Sequence, residues 1–416
     1  MGCRGKAPPA GGILSLFFKR TIMTTTYLSR AQALNDTVIA DRRWLHAHPE
    51  LPFEEKETTD YLVTALRDAG IETITFPDYY GAIGIIRGGN PGKTVMLRAD
   101  IDALPMTENS GDAFAATNGL MHSCGHDCHA AMLLAAARLL QERKAELRGT
   151  VKLLFQSAEE GFTGSRYYAD KGYLDDVDAL FGMHVWGHMD APKVNIQDGD
   201  RMASCDNFKI IVRGQGAHGS TPHLAKDAIV AASSIIMNLQ TFASRNYDPL
   251  DALVITVGMI RSGSQFNIIP ETAEMEGTVR TFSRTLRPTI EPGMRRIIEN
   301  TAEALGCTAE LVYDRIEDPI VNSYIHLNDI ARKAAVKLFG EDILVSMPEN
   351  MGGDDFSYLL ERVPGLYTFI GCLNKEKGIV YPNHSDRFRV DEDILYRGAA
   401  LYAQFAHDFL ADGEGA

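Results

Sequence analysis

Five short apolar runs, each bounded by glycine, proline or aspartate, restrict the possible folds more than any other feature of this chain. They cover residues 82–86, 94–97, 151–155, 179–184 and 366–370. Each has the length of a buried strand, and longer helical patterns cover residues 28–43, 58–69, 130–147 and 328–338. Strands that alternate with helices usually form a largely parallel sheet covered on both faces. The pattern therefore predicts a three-layer α/β domain with a mostly parallel sheet.

The middle of the chain follows a different order. Strands are predicted at residues 207–212, 252–259, 273–281 and 309–313, and helices at 226–244 and 294–305. The order βαββαβ is typical of a ferredoxin-like α+β sandwich, and a unit of this length can be a domain. We therefore expect an inserted lid or dimerisation domain at residues 201–316. It would divide a catalytic, metal-binding domain into residues 24–200 and 317–416.

Charge and cysteine usage exclude several classes of protein. The net charge is −14 and the pI is about 5.3, which disfavours a nucleic-acid partner. The six cysteines are scattered, so a disulfide framework is not indicated and a reducing cytoplasm fits best. Residues 1–23 are expected to be a disordered extension, because the run ILSLFF is too short for a membrane span and short for a signal peptide. No other segment is apolar enough to suggest a membrane partner.

The densest chemical cluster is HSCGHDCH at residues 122–129. Six of these eight residues can bind a metal or titrate, and the segment leads into a predicted helix. Thiolate, imidazole and carboxylate ligands together suit zinc and similar divalent ions. The alternatives are a redox pair or small buried residues. The cysteines lack a CxxC spacing, so metal binding is the favoured interpretation.

Acidic residues or a histidine also stand at the ends of three predicted strands. They are Asp100 and Asp102, Glu159 and Glu160, and His184. Open α/β sheets bind ligands at the carboxyl ends of their strands. Two adjacent glutamates ionise together only with difficulty, and a nearby cation removes the conflict. We expect one of the two glutamates to bind metal and the other to transfer protons. His384, in a loop after the last strand, is a weaker candidate.

Nine stretches, in order from about residue 30 to the end, resemble the M20 metallopeptidase family. They include RADIDALP from Arg98, MHSCGHDCH from Met121, FQSAEEG from Phe155, GMH from Gly182 and NHSDRF from Asn383. The resemblance is greatest to the amidohydrolase branch, which includes hippurate hydrolases, auxin–amino acid conjugate hydrolases and N-acyl-amino acid deacetylases. It implies the cleavage of an amide in an N-acyl-L-amino acid.

The resemblance also implies roles for individual residues. The five implied metal ligands are Cys124, His126, Glu160, His184 and His384. Glu159 would be the general base, and His218 would steady the reacting carbonyl from the partner subunit of a homodimer. Asn267 and Arg280 would contact the substrate. The implied cofactors are two divalent ions, with Mn²⁺, Zn²⁺, Ni²⁺ and Co²⁺ all acceptable to such a ligand set.

Two positions depart from the family pattern. Asp354, in MGGDDFSY, stands where the family usually has glutamate, and Asp100 stands where peptidase relatives place a histidine ligand. Asp102 matches an aspartate that supports a ligand in those relatives. Two other functions stay open: an aminopeptidase or dipeptidase of the same family, and a non-catalytic metal-binding dimer.

Overall fold

The computed structural model describes residues 26–412, so the predicted extension at residues 1–23 lies outside the described residues. The helices and strands before residue 200 are α1 (Tyr27–Ala33), α2 (Asn35–Ala47), α3 (Lys56–Asp68), β1 (Glu72–Ile74), β2 (Gly81–Arg87), β3 (Asn90–Asp100), α4 (His126–Glu142), β4 (Arg148–Gln156), α5 (Gly164–Asp170), β5 (Ala179–Asp190), β6 (Val194–Asn195) and β7 (Gly199–Met202).

The remaining elements follow in two groups. The first group is β8 (Cys205–Arg213), β9 (Ala217–His218), α6 (Ala228–Arg245), β10 (Leu253–Ser262), β11 (Ile268–Ile269), β12 (Thr272–Thr281), α7 (Arg287–Ala304) and β13 (Thr308–Glu317). The second group is β14 (Ile320–Asn322), α8 (Ile325–Phe339), α9 (Phe356–Leu360), β15 (Gly365–Leu373) and α10 (Leu395–Ala411). No helix in residues 26–412 is long and apolar enough to cross a membrane.

A seven-stranded mixed sheet is the centre of the fold, with the strand order β1-β2-β4-β3-β5-β15-β6. The pairs β4/β3, β3/β5 and β5/β15 are parallel, whereas the pairs β1/β2, β2/β4 and β15/β6 are antiparallel. The expectation of a mostly parallel sheet is therefore wrong for the outer strands. The outermost strands β1 and β6 have only three and two residues, too few to show a sequence pattern.

Two apolar clusters cover the faces of this sheet. On one face α4 and α10 pack together, and fourteen of the seventeen residues of α4 are buried. The other face packs against residues of α5, α9 and the segment around Val345. A sheet between two helical layers holds its strand ends rigidly, which suits a site built from loops.

Three predicted helices differ clearly from their expected bounds, and one of them, α7, was expected at residues 294–305 but begins at Arg287. The predicted helix at residues 28–43 is two helices that meet at Leu34, and the one at residues 130–147 begins at His126 and ends at Glu142. Helix α10 was not predicted, and twelve of its seventeen residues are buried.

A four-stranded sheet lies between β7 and β14 along the chain. Its order is β10-β12-β8-β13, all pairs are antiparallel, and α6 and α7 pack on it around a separate apolar cluster. We refer to residues 205–317 as the four-stranded unit. The short pair β7/β14 joins its two ends to the remainder of the chain.

Candidate metal centre

The loop before α4 brings Cys124 against the middle of β5. Gly125 has φ = 99°, and a Cβ at this position would lie 2.2 Å from the Val185 side chain. Only glycine fits such a close approach with a positive φ. The turn places Cys124 Sγ 3.3 Å from His184 Nε2. Thus a thiol and an imidazole from distant stretches of chain meet at one point.

His126, the first residue of α4, is held by one ring nitrogen only. Its Nδ1 lies 3.0 Å from the Asp102 carbonyl oxygen and 3.1 Å from Asp102 Oδ1. Its Nε2 is buried and has no hydrogen-bond partner among the described residues. Carboxylate oxygens of Asp100 and Glu159 lie 3.7 Å and 3.8 Å from this nitrogen. A histidine fixed at one nitrogen with its other nitrogen aimed at carboxylates has the geometry of a metal ligand.

The glutamate pair follows β4 in a tightly held turn. Ala158 has φ = 61°, and the buried Glu55 carboxylate accepts hydrogen bonds from Ser157 Oγ and the Ala158 N–H at 2.6 Å and 2.7 Å. The Glu160 N–H donates to Asp102 Oδ2 at 2.8 Å. Glu55 thus shapes the turn that carries the pair.

His384 joins this group from the loop after β15. It has φ = 64°, and its Nε2 lies 3.2 Å from Glu160 Oε1. Its backbone N–H donates to the Ser123 carbonyl at 2.8 Å, which ties this loop to the cysteine loop. A residue that looked weak in the sequence therefore lies beside the glutamate pair.

Donor atoms of all five predicted ligands lie in compact groups. One group is Cys124, His126 and His184, and a second is Cys124, Glu160 and His384, with the donor atoms of each group within 4.8 Å of one another. A third group joins His126 to Glu159 and Glu160. Two donor groups that share one thiol, together with the unpartnered His126 nitrogen, fit a pair of divalent ions of the zinc type.

The electrostatics of the protein groups also favour a cation here. Burial raises the pKa of Glu159 well above its usual range, and the nearby Asp354 and Glu160 charges add to this. Burial likewise raises the pKa of the Cys124 thiol, with Glu160 adding to it. For His126, burial lowers the pKa, but Asp100 and Asp102 outweigh it and raise the pKa to about 10. Bound cations reverse such shifts and favour the thiolate and the carboxylates.

A buried arginine lies behind the centre and was not predicted from the sequence. Arg98 donates to Asp100 at 2.7 Å, to Asp354 at 3.1 Å and to Asp355 at 3.2 Å. Carboxylate oxygens of Asp354, Asp355 and Glu159 lie within 4.8 Å of one another. Asp354 also accepts hydrogen bonds from the Tyr367 hydroxyl and the Phe356 N–H. Asp354, the residue that departs from the family pattern, thus forms a buried ion pair with Arg98.

The three remaining predicted residues are in the four-stranded unit. His218 ends β9 and pairs with Ile268 of β11, and the Gly219 N–H donates to the carbonyl of Asn267, the residue before β11. Over residues 26–412, no recorded hydrogen bond or ion pair links either of them to the donor groups. Arg280, on β12, reaches the loop at Gly353, next to Asp354. The structure therefore brings Arg280 close to the centre and leaves His218 and Asn267 apart from it.

Known proteins resemble this chain along most of its length. The family model for "Peptidase family M20/M25/M40" matches residues 96–408. A thermostable carboxypeptidase of Saccharolobus solfataricus is 38% identical over 90% of this chain and 96% of its own length. An N-acetylcysteine deacetylase of Bacillus subtilis is 37% identical over 90% of this chain and 97% of its own length. An IAA-amino acid hydrolase of Arabidopsis thaliana is 34% identical over 92% of this chain and 88% of its own length.

Solved structures show the same relationship. A dinuclear metal binding peptidase from the M20 family of Bacillus subtilis superposes with a TM-score of 0.81 at 34% identity, over 92% of this chain and 99% of its own. A putative aminohydrolase from methicillin-resistant Staphylococcus aureus gives a TM-score of 0.85 at 35% identity, over 92% of this chain and 98% of its own.

Proposed function

The chain belongs to peptidase family M20/M25/M40 and is a metal-dependent amide hydrolase, and from this premise we propose that it cleaves N-acyl-L-amino acids to a carboxylic acid and a free amino acid. The observation that carries the proposal is the pair of donor groups that share Cys124, with Glu159 beside them. The printed names of two relatives, an N-acetylcysteine deacetylase and an IAA-amino acid hydrolase, support the substrate class.

We assign five residues as ligands of two divalent ions, with Mn²⁺, Zn²⁺, Ni²⁺ and Co²⁺ as the candidates. They are Cys124, His126, Glu160, His184 and His384. The ions would supply Lewis acidity, which lowers the pKa of water and polarises a carbonyl oxygen. Asp102 contacts Nδ1 of His126 and fixes the orientation of its ring. Asp100 accepts a hydrogen bond from Arg98 and balances its charge. These two aspartates support the centre and are not assigned as ligands.

Glu159 is the proton-transfer group in this proposal. Its carboxylate lies 3.8 Å from His126 Nε2, and within residues 26–412 no hydrogen bond joins it to a proposed ligand side chain. With bound cations favouring its ionised form, its carboxylate takes a proton from water and returns it to the leaving amine nitrogen. Arg280 is the proposed partner of the substrate carboxylate, since guanidinium and carboxylate groups match in charge and shape. Asn267 is proposed to contact the substrate from the same unit.

We also propose that residues 201–316 are an inserted domain through which two chains form a homodimer. Strand β10 is an edge strand, and Met259 and Ile260 on it are 41% and 48% exposed. On the adjoining helix α6, Val230 and Met237 are 49% and 67% exposed. An exposed edge strand with apolar side chains is a common surface for pairing. In such a dimer His218 would act in the site of the second copy.

A reducing compartment such as the cytoplasm is proposed for the protein. The five cysteines among residues 26–412 are all free and buried, which supports this assignment.

A second candidate is a peptidase of the same family. The relative that is 38% identical carries the name carboxypeptidase, and peptides and N-acyl amino acids present the same amide and terminal carboxylate. The two candidates differ in the acyl side, where a peptide has a free amine.

A substrate panel separates the two candidates. Metal-loaded protein is incubated with hippurate, with N-acetyl amino acids and with unblocked dipeptides that have the same C-terminal residue. The rate at which the free amino acid is released is measured for each compound. We expect the N-acyl compounds to be cleaved faster. Faster cleavage of the unblocked dipeptides would favour the peptidase.

A further inference from the structure

Glu317 is a buried carboxyl group that has no hydrogen-bond partner among the described residues. It is the last residue of β13, its side chain is 0% exposed, and both of its carboxyl oxygens are unpartnered. Burying such a group without a partner is costly, so a nearby donor is expected.

The sheet places Arg280 on the same row as Glu317. Glu317 pairs with Cys205 on β8, and Val279 on β12 pairs with Asp206, the next residue of β8. Arg280 of β12 therefore lies opposite Cys205, on the side of β8 away from Glu317. Residues level with one another in neighbouring strands point to the same face. Cys205, which has a small side chain, lies on the strand between Arg280 and Glu317.

The side chains of Glu317 and Arg280 both extend toward Gly353, in the loop before α9. A Cβ at Gly353 would lie 2.3 Å from Glu317 Oε2, 3.2 Å from Cys205 Cβ and 3.3 Å from Arg280 Nη1. The carboxyl and guanidinium groups thus converge on the same point of the backbone. The next residue, Asp354, has a carboxylate oxygen within 4.8 Å of one of Glu159, so Gly353 lies beside the metal centre.

The Arg280 charge is among the electrostatic influences on the Glu317 carboxyl group. Burial raises the pKa of Glu317 well above its usual range, and Asp355 and Asp354 add to it, whereas the Arg280 charge acts in the opposite direction. Arg280 is the one cation among the principal influences on Glu317.

We propose that Glu317 is a positioning residue that holds the Arg280 guanidinium toward the metal centre and so sets the affinity for the substrate carboxylate. The inference rests on the proposed function, in which Arg280 binds that carboxylate. An arginine side chain has considerable rotamer freedom, and a second anchor restricts it before substrate arrives. The guanidinium has five donors, so an interaction with Glu317 leaves others for the substrate.

The test compares an N-acyl amino acid with its carboxamide, which lacks the carboxylate. Glu317→Ala is expected to raise KM for the free acid about tenfold, the size of a weakened charge-assisted hydrogen bond, and to leave kcat unchanged. KM for the carboxamide should stay at its wild-type value. Gly353→Ala should reproduce this pattern, because its methyl group would displace the Glu317 carboxyl group.

Two further variants make the result specific. In the double variant Glu317→Ala/Gly353→Ala, KM should rise no further than in Glu317→Ala, because the displaced group is already absent. Gly352→Ala is the matched control, since its Cβ would meet only the side-chain ends of Asn350 and Met202, at 3.3 Å. This control should keep the wild-type KM.

The inference is overturned if Glu317→Ala leaves KM for the free acid unchanged, or raises KM equally for the acid and the carboxamide. Normal metal content and an unchanged kcat show that each variant is folded. A wild-type protein that cleaves neither compound would overturn the proposed function, and this inference with it.

Discussion

Cys124 is the donor that the two ligand groups have in common. Its sulfur lies 3.3 Å from His184 Nε2 and is also grouped with Glu160 and His384. A thiolate is a strong ligand for zinc-type ions, and loss of a ligand removes binding energy that the remaining groups cannot replace. The cluster at residues 122–129 was recognisable from the sequence because cysteines and histidines are rarely so dense without a metal.

Cys124→Ala is expected to lower metal affinity by more than about 100-fold, since loss of even a group that merely supports a ligand costs 10- to 100-fold. Metal content after dialysis, measured by plasma emission, checks this. Cys128→Ala is the matched control, because Cys128 is also buried but belongs to none of the donor groups. Equal metal loss in both variants would remove Cys124 from the ligand set.

Glu159→Gln is expected to keep both ions and to lose turnover by about 10²-fold or more, the usual size of a lost acid–base group. The reason is that the amide cannot accept a proton, although it fills the same space. The measurement is kcat on an N-acyl amino acid alongside metal content. A near-normal kcat would assign proton transfer to another residue.

Arg98 shows what the sequence could not reveal at this scale. It pairs with Asp354 across 256 positions of the chain and with Asp355 across 257. In the sequence an arginine within a strand and two aspartates in a loop look like solvated charges. Only the folded chain shows that they neutralise one another beneath Glu159.

At the scale of elements, the turn at Gly125 connects the cysteine loop to α4 and sets the position of two ligands. Its φ of 99° and its contact with Val185 both require glycine. The strands β2 to β5 and β15 were predictable because short apolar runs mark buried strands. Strand direction was not predictable, because an apolar run marks a buried strand in either direction, and β1 and β6 are too short to carry any pattern.

Gly125→Ala is expected to reduce metal affinity and to lower the free energy of unfolding, because a Cβ would lie 2.2 Å from Val185 and overpacking costs about 1–3 kcal/mol. Urea unfolding and metal content are the measurements. Gly119→Ala is the control: its φ is 84°, but a Cβ there would meet nothing within 4 Å. It shares the backbone strain without the contact. If the two variants behave alike, the close approach at Gly125 does not position the centre.

For the whole molecule, the separation of His218 from the donor groups is the feature that one chain does not explain. His218 is exposed, and its Nδ1 is 2.7 Å from Ser220 Oγ within its own loop. The family resemblance could be recognised from motifs in the sequence, and the comparisons confirm it. Which copy of the chain His218 serves depends on assembly, which a sequence pattern does not encode.

Mixing two inactive variants tests the proposed action of His218 across a dimer. A His218→Ala chain keeps Glu159, and a Glu159→Gln chain keeps His218, so a mixed dimer would contain one complete site. We expect activity to reappear after the two variants are mixed under exchange conditions and to be absent from each alone. No recovery, with mixed dimers demonstrated by sedimentation and differential tagging, would mean that His218 acts within its own chain or not at all.

The most direct test of the central claim is a metal titration of the apo-protein with hydrolysis of an N-acyl amino acid as the readout. Bound ions per chain and kcat are measured on the same samples. Two ligand groups that share Cys124 predict that kcat reaches its plateau at two bound ions per chain and falls to background after chelation. Full activity without bound metal, or no cleavage of any N-acyl amino acid at two bound ions, would contradict the account.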